Sequence, residues 1–362
     1  MTENGSLKIS DEQVSLLERL CNASAVSGDE AEVRKIVIEE VRAVADEIKV
    51  DVLGNVLARR FGDGENRLKV MLAAHMDEVG MMVIHDEGKG IFRFELVGGI
   101  PAHFLPAKSV AVGKNKIPGI IGAAPIHLTS AAERQNLISV DDMRLDVGPD
   151  NGEYVEIGDR VVFSTEFADH DNAVFAKALD DRIGVSILIQ LLKNAPKNID
   201  LFAAFTVQEE VGQRGASAAA FELDPDIAIV IDSTPANDQP AWDEGDDRWS
   251  GNKQYNTRIR KGPAIYIADR GTISDPRLIK HFVNTSHVEG IPFQLRQPGG
   301  GRTDAAAIHK QRSGIPSISI SVPARYLHSP VSICDILDWM NTQKLIYFGL
   351  VGMSGDILAM EL

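Results

Sequence analysis

The 362-residue sequence predicts an α/β fold in which a largely parallel or mixed sheet is covered by helices on both faces and interrupted by an inserted β module. Apolar strand-like runs (KVMLAAH, DLFAAFTV, DIAIVID, GIPSISISV) alternate with segments whose apolar residues recur at helical spacing. Between about Met81 and Phe167 that alternation stops, and short β-prone runs broken by Gly, Pro and Asn take over. The length exceeds one typical core and fits two domains, or one large α/β domain carrying an insertion.

In chain order, residues 11–22 and 29–46 read as helices. The second carries Val33, Ile36, Val37, Val41 and Val44 on one stripe and opens after Ser27-Gly28 with acids in its first turn. KVMLAAH is an apolar strand. The inserted runs are MMVIHD, IFRFELV, SVAVG, GIIGAA and RVVFST, with EVGMM near residue 80 and ADHDN near residue 170 as linkers. ALDDRIGVSILIQLLKNA then reads as helix, DLFAAFTV, DIAIVID and AIYIA as strands, PRLIKHFVNTSHVEG as helix and GIPSISISV as strand. The polar stretch 243–258 reads as an exposed loop. The implied division is residues 1–80, an insertion over 81–166, and 167–362.

Composition excludes several classes of function. With 52 acidic against 37 basic residues the formal charge is −15, which opposes nucleic acid or an anionic membrane as partner. Two cysteines, Cys21 and Cys334, are too few for a disulfide framework or a thiolate cluster. The N-terminus MTENGSLKIS lacks a basic region followed by an apolar one, and no apolar stretch is long enough to span a bilayer, so a cytoplasmic protein is expected.

The chemistry-bearing residues gather at strand ends. His75 ends KVMLAAH, Glu209-Glu210 end LFAAFTV, Asp232 ends DIAIVI and His328 follows SISISVPARYL. In an open α/β sheet ligands bind outside the carboxyl ends of the strands, so these residues are expected to share one rim. Asp180-Asp181, opening a helix, faces the same rim. Histidines and carboxylates without thiolate suit Zn, Co or Mn held as a Lewis acid. Each residue has an ordinary role as well: Asp180 as a helix cap, Asp232 as a turn residue, His75-x-Asp77 as a polar strand end, His328 as a loop histidine. Their joint placement at successive strand ends favours a site.

The ordered motifs AAHMDEVGMMV, GIIGAAPIHL, AKALDDRIGV, FTVQEEVGQRGA, VIDSTPA, RKGPAI, PGGGRTDAAAIH and ARYLHSP resemble the M42 metallo-aminopeptidases, the glutamyl and tetrahedral aminopeptidases with their endoglucanase-labelled relatives. The resemblance covers nearly the whole chain. It implies an α/β/α sandwich catalytic domain of the zinc-exopeptidase type with a PDZ-like β-barrel insertion used in oligomer assembly, up to a hollow tetrahedral dodecamer. It implies two divalent metal ions: His75 and Asp232 on one, Glu210 and His328 on the other, Asp180 bridging. Glu209 would be the general base on the bridging water, and Asp77 would orient His75. If Glu209-Glu210 are extended, adjacent side chains face opposite ways, which would separate their roles. Spare carboxylates would receive the free ammonium of a peptide.

Two departures stand out: Arg302, where members often carry glycine, and the long stretch 243–258. Gln213 is a milder one. Alternatives are a related metal-dependent carboxypeptidase or N-acyl-amino-acid deacylase, for which Arg302 is the candidate carboxylate partner. A glycoside hydrolase is a poorer fit, since its two carboxylates must flank the bond about 5–10 Å apart. A non-enzymatic assembly protein would not retain the whole residue set. PGGGRTD lacks the lysine-serine of a phosphate-binding loop. His85, His103, His127, His170, His281, His287 and His309 receive no metal role, and Arg325-Tyr326 are expected to brace the loop before His328.

Overall fold

A computed structural model describes residues 8–130, 136–239, 257–297 and 300–359. Most of the polar stretch 243–258 lies outside the described residues. Helices α1 (Asp11–Asn22) and α2 (Ala31–Val41) lead into strands β1 (Glu47–Val50), β2 (Val56–Arg60) and β3 (Leu68–His75). The strands β4 (Gly80–Gly88), β5 (Ile91–Val97), β6 (Ser109–Val112), β7 (Ile117–Gly122), β8 (Arg144–Asp146) and β9 (Arg160–Phe163) follow. A hairpin, β10 (Ala168–His170) and β11 (Ala173–Ala176), precedes α3 (Leu179–Lys193), β12 (Ile199–Thr206), α4 (Arg214–Leu223) and β13 (Ile227–Pro235). Then come β14 (Ala264–Tyr266), α5 (Pro276–Glu289), β15 (Gln294–Arg296), α6 (Ala305–Ile308), β16 (Ser317–Arg325), β17 (Ser332–Asp335), α7 (Ile336–Val351) and α8 (Asp356–Ala359).

Eleven strands of the described residues form one mixed sheet, ordered β1-β2-β12-β3-β13-β16-β17-β11-β10, with β14 on β16 and β15 on β14. At its centre β12, β3, β13 and β16 are parallel, with His75 opposite Thr206 and Asp232 opposite Ser321. Their alternation sorts side chains onto two cores. Leu68, Val70, Leu72 and Ala74 of β3 join Leu201, Ala203 and Phe205 of β12 against α1, α2, α3 and α7. Met71, Ala73, Phe202 and Ala204 face α4 and α6, whose contact residues Ala216, Ala219, Ala220 and Ala305 are small. Burial on both faces is why these strands read as continuous apolar runs.

The strands β4-β5-β8-β7-β6-β9 close into a separate six-stranded barrel. Met81, Val83, Phe92, Phe94, Val110, Ile121, Leu145, Val161 and Phe163 fill its own core. Closure removes the free edges that such short strands would otherwise expose.

Several expectations are corrected. The second helix ends at Val41 instead of reaching residue 46, and two strands, β1 and β2, stand where the N-terminal part was read as helix, helix, strand. These are short, and β1 and the end of β2 are partly exposed, so their polar residues hide the strand pattern. ADHDN is no linker: its first three residues form β10, paired antiparallel with β11. Helices α4 and α7 were not read from the sequence. In α7 the apolar residues are spread around the helix, and Trp339, Leu345, Ile346 and Leu350 are fully buried, so no single stripe marks it.

Helices α5 and α7 meet at Gly349, where an added Cβ would stand 2.2 Å from Phe282 Cε1 in a fully buried ring. Gly349→Ala should lower stability by about 1–3 kcal/mol through overpacking, read as a lower urea midpoint, with partial recovery when Phe282→Leu is added. An unchanged midpoint would show that the helices can separate freely.

Candidate metal centre

The carboxyl ends of the central strands and the loops beyond them converge. His75 is the last residue of β3, Asp232 lies in β13, Glu209 and Glu210 follow β12, Asp180 opens α3 and His328 lies between β16 and β17. The structure brings them into two groups that share Asp180: His75, Asp180 and Asp232, and Asp180, Glu210 and His328, with the ligand atoms of each group within 4.8 Å of one another. Asp180 Oδ1 is 3.2 Å from His75 Nε2, and its Oδ2 is 3.3 Å from His328 Nε2. Glu210 Oε2 lies 3.5 Å from His328 Nε2, and Asp232 Oδ1 lies 3.9 Å from His75 Nε2.

Both rings are aimed by their other nitrogen. Since a carbonyl only accepts, Nδ1 of His328 donates to Gly99 O (2.9 Å) and Nδ1 of His75 to Asp77 O (3.2 Å), which turns each Nε2 toward Asp180. Gly99 belongs to the rim of the barrel just past β5. Gly98 before it adopts φ +86°, and a Cβ on Gly98 would crowd Val79, so the close approach of barrel rim to site requires glycine.

Asp77, fully buried, does more than face His75. Its Oδ1 stands 3.5 Å from His75 Nδ1 and accepts from Glu209 N (2.9 Å), while Oδ2 accepts from Glu210 N (3.2 Å) and Ser27 Oγ (2.6 Å). One carboxylate therefore ties the end of β3 to the loop that carries both glutamates. That loop is not extended. Gln208 has φ 57° and a turn begins at Glu210, so the two glutamates lie in a curved segment beyond the strand. Glu209 Oε1 accepts from Gln213 Nε2 at 2.7 Å, and Glu210 turns to His328.

Burial drives the electrostatics. It pushes Glu209 and Asp232 well above the usual carboxylate range and Glu210 up to about 7, with nearby acids adding to it. His75 and His328 resist the burial that would discharge them. Asp180 and Asp77 hold His75 well up, and Asp180 and Glu210 hold His328 up at about 10. Asp180 is held low: burial works against this, but its hydrogen bonds to the two rings prevail. The donor set fits divalent cations: histidine nitrogen and carboxylate oxygen only, with Glu210 Oε1 buried and lacking any hydrogen-bond partner.

Sequence reasoning missed four contributors. Ser27 and Gln213 hold Asp77 and Glu209, and Gln213 is signalled only by its place four residues after Glu209. Asp304, within PGGGRTDAAAIH, is buried behind the rim with Oδ2 accepting from Thr206 Oγ1 (2.5 Å), and burial raises it to about 6. Glu78 forms a buried ion cluster with Lys177 (2.8 Å) and Arg182 (3.1 Å), and it also accepts from Ala25 N. Arg182 further donates to Met76 O, next to His75, so the cluster joins the ends of β3 and β11 to the start of α3.

Two histidines and a shared carboxylate, set at the carboxyl ends of parallel strands, define a metal-dependent hydrolase of the α/β class. The chain belongs to the M42 glutamyl aminopeptidase family, whose profile matches residues 54–345. It is 36% identical over 341 residues to a putative aminopeptidase of Acetivibrio thermocellus, covering 93% of this chain and 98% of that protein. The fold is similar to the TET aminopeptidase of a marine-sediment Thaumarchaeota archaeon, with TM-score 0.89, 31% identity and coverage of 96% and 98%. It is also similar to the Pyrococcus horikoshii TET1 peptidase, described as assembling into a tetrahedron or a large octahedral shell, with TM-score 0.80, 31% identity and coverage of 94% and 100%. The protein is thus a metal-dependent aminopeptidase in class. No helix of the described residues is long and apolar enough to cross a membrane.

Glu78→Ala should cost about 3–5 kcal/mol of stability, because Lys177 and Arg182 would remain buried without their counter-charge. Urea unfolding of the variant measures this, and adding Lys177→Met should return part of the loss. A midpoint within error of wild type would rule out the cluster as the clamp on β3 and α3.

Proposed function

We propose that the protein is a dinuclear aminopeptidase that removes N-terminal residues from short peptides. The observation that carries the reading is Asp180, whose two oxygens face two different histidines and which belongs to both ligand groups. His75 and Asp232 would hold one ion, Glu210 and His328 the other, and Asp180 both, with Zn, Co or Mn acceptable to these donors. When bound, the ions supply Lewis acidity toward the scissile carbonyl and lower the pKa of water. Glu209, held by Gln213 and belonging to neither ligand group, takes the proton of the attacking water and passes it to the departing amine. Asp77 sets the positions of His75 and of the Glu209-Glu210 backbone. The rim opens into a cavity of about 790 Å³, lined in part by Asp180, Glu209, Glu210 and Asp232, whose negative charge suits the ammonium group of a peptide.

The alternative of a carboxypeptidase or N-acyl-amino-acid deacylase is not favoured by the family. The chain is best divided at residues 1–80, 81–166 and 167–362, as an α/β/α catalytic domain with a PDZ-like barrel insertion. We assign the barrel to assembly of a homo-oligomer, a tetrahedral dodecamer, in a cytoplasmic enzyme without nucleic-acid or membrane partners. Similarity to the TET1 peptidase supports this, as do large apolar residues exposed between Gly80 and Phe163, among them Ile120, Leu128, Leu137, Tyr154 and Ile157.

Chelation should abolish hydrolysis of free-amine peptides, and restoring Zn, Co or Mn separately should recover it, while N-acetylated and cellulosic substrates stay inert. Full activity after complete metal removal would overturn the reading. Glu209→Gln should reduce kcat by at least about 10²–10⁴-fold with metal content near normal, measured by steady-state kinetics and elemental analysis; near-wild-type turnover would mean another base. Light scattering should give the mass of a homo-oligomer, and a fully active monomer would exclude the assembly role of the barrel.

A further inference from the structure

The loop that carries Glu209 and Glu210 is pinned at both ends by one side chain. Asn55, fully buried just before β2, accepts from Val207 N (2.9 Å) through Oδ1 and donates to Gly215 O (3.0 Å) through Nδ2. Gly215 N in turn donates to Val207 O (3.0 Å), which closes the loop on itself. The close approach requires glycine, since a Cβ on Gly215 would stand 2.3 Å from Asn55 Oδ1. Between these brackets Gln208 and Gln213 both take positive φ, 57° and 51°, and Gln213 N donates to Glu209 O (2.9 Å).

On this pinned loop the side chain of Gln213 reaches back to the side chain of Glu209, with Nε2 donating to Oε1 at 2.7 Å. An amide nitrogen only donates and a carboxylate only accepts, so the partner fixes which end of the amide faces it. Gln213 has no competing duty at the helix behind it: it precedes α4 but makes no side-chain bond to the helix terminus. Glu209 Oε2 accepts no hydrogen bond among the described residues, and Glu209 and Gln213 both line the cavity over the rim. The two oxygens of Glu209 are therefore unequal, one engaged and one available. A neutral amide suits this task, because it holds one oxygen without neutralising the carboxylate as a lysine or arginine would.

We propose that Gln213 is the positioning residue of the general base: it occupies Glu209 Oε1 and leaves Oε2 as the oxygen that handles the proton. The inference rests on the aminopeptidase reading with Glu209 as base. An O–H bond of the attacking water breaks as Oε2–H forms and the water oxygen bonds to the scissile carbon. The Oε2–H bond then breaks as the N–H bond of the departing amine forms and the C–N bond opens, which restores the carboxylate. Gln213 keeps its own protons throughout, and its part is to stop the carboxylate from turning away between the two transfers.

The test uses the metal-loaded full chain. Gln213→Met, similar in length but without a donor, and Gln213→Asn, which tolerates positive φ but is too short to reach, should each lower kcat about tenfold with KM within about twofold of wild type. Metal content and urea midpoint should stay near wild type. Calorimetry gives a readout independent of turnover: a phosphinic dipeptide that mimics the tetrahedral species should bind both variants about tenfold more weakly, while free leucine binds as it does to wild type. In the Glu209→Gln background, Gln213→Met should add no further loss, because the group it positions is gone. Wild-type kcat in both variants, a loss of kcat that tracks lost metal or stability, or a full tenfold loss that persists without Glu209, would overturn the positioning role. Wild-type turnover by Glu209→Gln would instead overturn the choice of base, and this inference with it.

Discussion

Everything at the rim is arranged around the carboxylate of Asp180, which stands between the rings of His75 and His328. Hydrogen bonds to the two rings hold the Asp180 carboxyl low against the burial that would raise it, and Asp180 in turn holds both rings up against the burial that would lower them. The two histidines come from elements far apart in the chain, the end of β3 and the loop after β16. A short reach between them exists only because β13 lies between β3 and β16 in the sheet. Parallel register brings the ends of these strands to one level, and loops from α3 and β12 complete the circle.

The supports behind this circle are charged and buried, which makes them costly unless every partner is present. Asp77 accepts from Ser27 and from two backbone groups of the glutamate loop, and Glu78 is matched by Lys177 and Arg182. Two adjacent residues therefore face different networks, one serving the site and the other the helices behind it. The barrel contributes from outside the sheet: the carbonyl of Gly99 fixes the orientation of His328, so the inserted module is coupled to the centre by a hydrogen bond as well as by covalent connection.

Much of the fold was legible because β3, β12 and β13 are buried on both faces and read as unbroken apolar runs. The barrel was legible from its turn residues. Strands β1 and β2 were not, because edge strands keep polar residues on their exposed faces, and α7 was not, because full burial erases an amphipathic stripe. At the site, residue types at strand ends put His75, Asp180, Glu209, Glu210, Asp232 and His328 forward as candidates, and the structure gathers His75, Asp180, Glu210, Asp232 and His328 into two groups that share Asp180. Glu209 and Glu210 lie past the end of β12, beyond the positive φ of Gln208, so their separate contacts with Gln213 and His328 were not legible from strand alternation.

The sequence by itself determined the class of fold, the family and the set of ligand-type side chains, because hydrophobic periodicity and donor chemistry are written residue by residue. Only the tertiary structure decided that Asp180 faces both histidines, that Asp77 serves the glutamate loop as well as His75, and that Gly99 and Arg302 reach the same cavity. Those are contacts between residues tens to hundreds of positions apart. They depend on strand order and loop curvature, which local spacing does not encode.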